Sequence, residues 1–211
     1  MADARRSRRT PRREKHSILI VTNGAVTEQL YLNEIKRRAL RTQRSRDENF
    51  SIKVHFVNGE TDSIIRKLRS PHGNTQGYDE VWIVVDEDGA DRESFLRKCR
   101  EASSRNQPWA GVVSRPCFEV WLIAHYEQVQ RYSDQEDAQR HFRRLTPPGL
   151  GTKELPEDFP YSAVAAAAER SHLPGAELPG TGSLPPSPGS AMPLLIERLG
   201  LLEEPRGGEA L

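Results

Sequence analysis

Residues 78–88 read Tyr78-Asp79-Glu80-Val81-Trp82-Ile83-Val84-Val85-Asp86-Glu87-Asp88, and this stretch decides the fold. Val81 to Val85 is a β-branched and aromatic run, long enough for a buried strand and too short for a helix. It ends in three consecutive acids followed by Gly89. Open α/β sheets bind ligands at the C-terminal tips of their strands, where this strand delivers its carboxylates. Alternate residues of an extended chain point the same way, so Asp86 and Asp88 are expected to converge on one hard cation such as Mg2+. A plainer reading stands beside it, in which the acids form a solvated turn that caps the following helix.

Outward from this stretch the chain alternates between strand and helix. Upstream, Ile18 to Val21 predicts a first strand ending in Thr22-Asn23-Gly24. Tyr31, Ile35 and Ala39, spaced by four, predict a helix whose start is supplied by Thr27 and Glu28. Ser51 to Val57 alternates Ile52, Val54 and Phe56 as a second strand. Thr61-Asp62-Ser63 caps a short helix carrying Ile64, Ile65 and Leu68. Downstream, Asp91 to Ala102 predicts a helix with Phe95, Leu96 and Cys99 on one face, and Trp109 to Val113 a fourth strand. Strands alternating with helices imply parallel βαβ units, hence an α/β fold with a mainly parallel four-stranded sheet between helical layers. The tips of the first, third and fourth strands then share one edge, with Gly24, Asp86, Asp88 and Ser114 on it.

Pro116 is placed to open the next helix. Phe118, Trp121, Leu122 and Tyr126 read as core, and Glu119 and His125, which flank them, as candidate site residues. Each has a plainer alternative. A carboxylate in a first turn favours the positive end of the helix dipole, and a histidine on an apolar face is commonly a hydrogen-bonded core residue. Asp134 to Leu145 reads as an exposed, charged helix and Tyr161 to Ser171 as an alanine-rich one. Residues 173–190, dense in Pro and Gly, read as irregular loop, and Met192 to Leu199 as a last short helix.

The length of 211 residues suits one domain with tails: a basic arm over 1–15, an α/β domain over 16–200 and a frayed tail over 201–211. Net charge is +1, with 36% hydrophobic and 29% charged residues, as in a soluble globular protein. The absence of an apolar run near 18 residues argues against a membrane span, and the absence of a signal-peptide pattern makes the cytoplasm the default. Cys99 and Cys117 form no CxxC pair, which argues against a disulfide framework or a zinc site. The arm carries Arg5, Arg6, Arg8, Arg9, Arg12, Arg13 and Lys15. It is expected to be disordered alone and drawn to polyphosphate, or else to be a solubilising tail. Lys36 and Arg37, late in the first helix, extend the basic character; cations there also suit a helix C-terminus.

Four stretches together resemble the RloB family of bacterial proteins. A family motif of the form EG-x-x-TE-x-x-Y is matched by Asn23 to Tyr31, an acidic D-x-D by Asp86-Glu87-Asp88, and S-N-P-C-F-E-x-W-L-x-x-H by Ser114 to His125. A terminal P-S-T-x-x-x-x-L-x-x-x-L is loosely echoed by Pro186 to Leu199. The resemblance covers roughly residues 16–200. It implies a three-layer, Toprim-like domain and a role in bacterial phage defence, in some members as an abortive-infection component beside a P-loop ATPase. It also implies Mg2+ or Mn2+ held by acids, with Asp86, Asp88, Glu119, His125 and Glu28 as catalytic candidates and Asp86, Asp88, Glu119 and Asn23 as metal ligands. Arg115, Arg12, Arg13, Lys36 and Arg37 are the candidates for contacting nucleic acid.

The chain departs from the family pattern at two positions. Asn23 stands where the family has Glu, offering a carbonyl oxygen but no charge and no useful proton affinity. Arg115 stands where Asn is usual, adding a cation beside the site. Two functions therefore remain open: a metal-dependent nuclease in antiviral defence, and a catalytically impaired nucleic-acid- or partner-binding component of the same kind of system. Glu28 can compensate for Asn23 only if the loop before the helix folds back. A nucleotide-handling enzyme with a Walker or dinucleotide fingerprint is not supported, since neither GxxxxGK[ST] nor GxGxxG occurs.

Overall fold

The computed structural model describes residues 15–45, 50–151, 154–178 and 180–202. The basic arm with Arg12 and Arg13, and the tail from Glu203 onward, lie outside the described residues. The chain runs β1 (His16–Thr22), α1 (Thr27–Ser45), β2 (Phe50–Phe56), α2 (Thr61–Arg69), β3 (Glu80–Asp86), α3 (Glu93–Ala102), β4 (Trp109–Arg115) and α4 (Glu119–Ala124). There follow α5 (Gln135–Leu145), a 3-10 turn over Tyr161–Ala163, α6 (Val164–Arg170), β5 (Gly189–Ser190) and α7 (Met192–Arg198).

The fold is α/β, built on a mixed five-stranded sheet in the order β2-β1-β3-β4-β5. β1 to β4 are mutually parallel, as the alternation of strand and helix requires, whereas β5 pairs antiparallel to the end of β4. The sequence reading counts four strands, and β5 is the addition. Its two residues fall in the Pro- and Gly-rich stretch read as loop, because so short a strand has no periodicity to detect. Pro116 precedes α4 by three residues rather than opening it.

Apolar residues leave the sheet on both faces. Ile18, Ile20, Trp82, Val84 and Val112 pack with α1, α4, α5, α6 and α7 through Tyr31, Trp121, Phe142, Ala167 and Leu195. Leu19, Val21, Ile83, Val85 and Val113 pack with α2 and α3 through Ile64, Leu68, Phe95 and Leu96. A strand covered on both sides must be apolar at every position, which is why 81–85 shows no alternation. Each fully buried Ile, Val or Leu contributes about 1.5–3 kcal/mol, so these two clusters are the main source of stability.

Connection order locates the ligand edge. β1 passes through α1 to β2 on one side of it, and the chain then returns through α2 to β3 on the other. α1 and α2 cover opposite faces of the sheet. The direction of winding therefore reverses between β1 and β3, opening a crevice at their C-terminal ends.

Candidate active site

A cavity of about 410 Å3 occupies that crevice. Its floor is the loop after β1, Asn23 to Thr27, together with Asp86 at the end of β3. Glu28 from the first turn of α1, Phe118 and Glu119 from the start of α4, and Gln139, Phe142 and Arg143 from α5 complete the lining.

Three carboxylates thus face one space. Asp86 is the last residue of β3, held in register opposite Ser114 of β4. Burial raises its proton affinity well above the ordinary carboxylate value, and the charges of Glu28, Glu119 and Asp88 raise it further. A hydrogen bond from the backbone N–H of Phe118 opposes them. The Cys117 thiol is likewise pushed up, first by burial and then by Glu119, so it is a protonated neighbour of the site and not a nucleophile.

Glu28 is brought to the cavity by the turn at Gly24. A side-chain carbon on Gly24 would fall on the Glu28 carboxyl, so the absence of that carbon is what lets Glu28 fold back over the loop. Asn23 lines the same cavity from the adjacent position. Asn23, Glu28, Asp86 and Glu119 are therefore assembled from three of the candidate motifs.

Asp88 is not among the lining residues. β3 ends at Asp86, and the backbone turns at Asp88, where φ is 48°, so the extended geometry that would align the two aspartates stops one residue too soon. Backbone N–H groups of Glu87 and Asp88 donate to Ser114 O (2.9 Å) and Pro116 O (3.3 Å), fixing that turn against the end of β4. Burial raises the proton affinity of Asp88, Arg92 opposes this, and Glu60 adds to it. Asp88 acts on Asp86 through its charge.

His125 is 2% exposed and lies in the aromatic core. Nδ1 is 3.0 Å from Pro160 O and Nε2 is 2.9 Å from the Tyr31 hydroxyl. A carbonyl only accepts, so Nδ1 carries the proton and Nε2 accepts from Tyr31. Burial lowers the pKa of His125 to about 4. Its placement is that of the hydrogen-bonded core histidine.

Among the proposed cationic contacts, Arg115 is engaged by Glu87, with Nε 2.7 Å from Oε1, and by Pro185 O at 3.0 Å. Arg37 pairs with Glu34, and neither it nor Lys36 lines the cavity. Arg143 does line it, and the sequence reading did not single it out. Neither did that reading single out Arg92, which is 4% exposed and donates from Nε to Asp86 O at 2.6 Å, tying α3 to the tip of β3. For Arg143 a signal existed: Ala138 and Phe142, spaced by four, interrupt the charges of a helix expected to be exposed, and the structure corrects that expectation by burying both with His141, so α5 packs inward. For Arg92 no local signal distinguishes it from a surface arginine.

The donors are all oxygen, from three acids and the neutral Asn23, which is the chemistry of a hard divalent cation. Among the described residues, no three His, Cys, Asp or Glu side chains stand close enough together to hold a metal ion as placed. No helix among the described residues is long and apolar enough to cross a membrane. Neither the curated proteins nor the solved structures include a significant match to the chain. The family model described as RloB-like protein matches residues 18–199, so the chain belongs to the RloB-like family.

Proposed function

We propose that the protein is a metal-dependent nuclease or nuclease-like effector of bacterial antiviral defence, with a three-layer Toprim-type arrangement and a Mg2+ or Mn2+ site. The observation that carries the reading is the sharing of one cavity at the winding reversal by Glu28, Asp86 and Glu119. Burial and the charges of Glu28 and Glu119 disfavour the ionised form of Asp86, and that is the cost a divalent cation would offset. Glu28, Asp86 and Glu119 would hold the ion, with the Asn23 carbonyl as a neutral fourth donor. Bound there, Mg2+ would polarise the phosphodiester and stabilise charge on the leaving oxygen. A cation there would favour the ionised form of Asp86, so affinity is expected to rise with pH. Asp88 tunes Asp86 by charge, and Arg92 holds the strand tip on which Asp86 sits.

The test is cleavage of single- and double-stranded DNA and RNA with Mg2+ or Mn2+, alone and with any ATPase encoded alongside. Cleavage is expected to vanish in Asp86→Ala. Lack of cutting by the wild type under all these conditions would sink the catalytic reading. A second reading, a binding component with reduced chemistry, is favoured by Asn23, which lines the cavity without charge where the family motif has Glu. Under that reading Asn23→Glu confers cleavage on a protein otherwise inert.

A further inference from the structure

Part of the cavity lining comes from α5. Gln139, Phe142 and Arg143, spaced by three and four, lie on one face of that helix and all reach the cavity. Arg143 is the cation among the described lining residues. The other cations near the candidate motifs are spent elsewhere: Arg115 on Glu87, Arg37 and Arg38 on Glu34, Arg92 on the Asp86 carbonyl. Arg140, one turn before Arg143, pairs with Glu136 and Asp137 of its own helix. Arg143 is exposed and, among the described residues, closes no ion pair with Asp86 or Glu119, which line the same cavity. A guanidinium and carboxylates lining one cavity of about 410 Å3 leave room for a group that both can address. A phosphate is such a group: its oxygens accept from the guanidinium fork on one side and meet a carboxylate-bound cation on the other.

The rim adds a second feature. Val26 and Leu30, 38% and 50% exposed, are the exposed large hydrophobics among the described residues, and both lie at the start of α1. Val26 lines the cavity and Leu30 follows one turn on, its N–H donating to Val26 O at 2.8 Å. An apolar ledge beside an acidic cavity roomy enough for more than a phosphate suits a nucleotide whose base is free of a partner strand.

We propose that Arg143, with Gln139 beside it, binds the phosphate of a single-stranded nucleic acid, and that Val26 and Leu30 take an unstacked base next to it. This rests on the reading of the cavity as a phosphodiester site. The probe is a fluorescently labelled single-stranded oligonucleotide, followed by anisotropy over a salt series with Ca2+ in place of Mg2+. Arg143→Ala is expected to weaken binding at least tenfold and to lower the slope of log affinity against log salt by about one. Arg143→Lys recovers part of the affinity, and Arg140→Ala, on the same helix with the same charge loss, stays within twofold of wild type. Leu30→Ser weakens the single strand more than a duplex of equal length. If the wild type cleaves, Arg143→Ala raises KM more than it lowers kcat.

Failure of the proposal and failure of the nuclease reading give different results. A wild type that cuts nothing but loses oligonucleotide affinity in Arg143→Ala removes the nuclease reading and supports this site. A wild type that cuts, with unchanged affinity and KM in Arg143→Ala, overturns the site and keeps the nuclease. Absence of oligonucleotide binding by the wild type in Ca2+ also overturns the site, as does equal weakening by Arg140→Ala.

Discussion

Asp86 and His125 stand in motifs of similar appearance and have opposite environments. Asp86 ends a strand at the open edge, where burial and like charges favour its protonated form. His125 is enclosed by Tyr31, Trp121 and Phe159, with ring centroids 4.9–5.5 Å away, and both of its nitrogens are spoken for. Its folded pKa of about 4 lies below the ordinary histidine value of 6.5, so the unfolded chain takes up a proton first as pH falls. The stability contributed by neutral His125 is therefore present above about 6.5 and lost as pH drops towards about 4. His125→Phe is expected to lose that pH dependence in calorimetric Tm. It also costs about 1–3 kcal/mol, because Pro160 O and the Tyr31 hydroxyl lose their partner. A pH–stability profile parallel to wild type would contradict the assignment. Both residues are visible in the sequence as polar groups flanking apolar runs. Which of them faces a cavity is not, since that depends on residues contributed by α1, α5 and the 159–161 segment.

At the scale of the element, the decisive unit is the turn from β1 into α1. An acid in the first turn of a helix is ordinarily explained by the dipole. Here Gly24 removes the one carbon that would keep the Glu28 carboxyl out of the cavity. Gly24→Ala is expected to displace Glu28 and weaken divalent-cation affinity at least tenfold by isothermal titration, while the cost to the fold stays near the ~1 kcal/mol typical of a point substitution. Unchanged affinity would mean that Glu28 contributes nothing to cation binding. The opposite case is the end of β3: the D-x-D spacing promises convergence only while the chain stays extended, and the turn at Asp88 ends that condition. α5 is legible as a helix from its capping Asp134, which accepts from Asp137 N at 2.8 Å. Its role as a wall of the cavity is decided by packing against α4.

At the scale of the whole molecule, the edge of the sheet remote from the cavity is held by Glu80. This carboxylate is 7% exposed. Arg198 of α7 grips it with Nε at 2.9 and 3.0 Å from its two oxygens, and Nη2 also reaches Oε1. Trp82 Nε1 donates at 2.9 Å and His16 Nε2 lies at 2.6 Å. Burial pushes the Glu80 carboxyl up, but hydrogen bonds from Arg198, Trp82 and His16 together hold it below its ordinary value. The stability it supplies is therefore present above about 4.5 and lost on acidification through its lower folded value. Glu80→Ala leaves Arg198 without its counter-charge and is expected to destabilise by about 3 kcal/mol in urea unfolding at neutral pH, and by less at low pH. A loss under 1 kcal/mol at both pH values would show the network to be neutral.

The four long strands, the helices α1 to α3 and the delivery of acids to the C-terminal tips were readable in the sequence alone. Apolar runs and helical spacing express local backbone preference and the need to cover both faces of a parallel sheet. Tertiary structure alone decided that Glu28 joins Asp86 and Glu119 while Asp88 and His125 do not line the cavity. It also decided that α5 brings Arg143 to the cavity, and that Glu80 meets Arg198 across 118 residues. Those outcomes depend on long-range packing and on the direction of each side chain at a turn, and neither leaves a periodic trace in the chain.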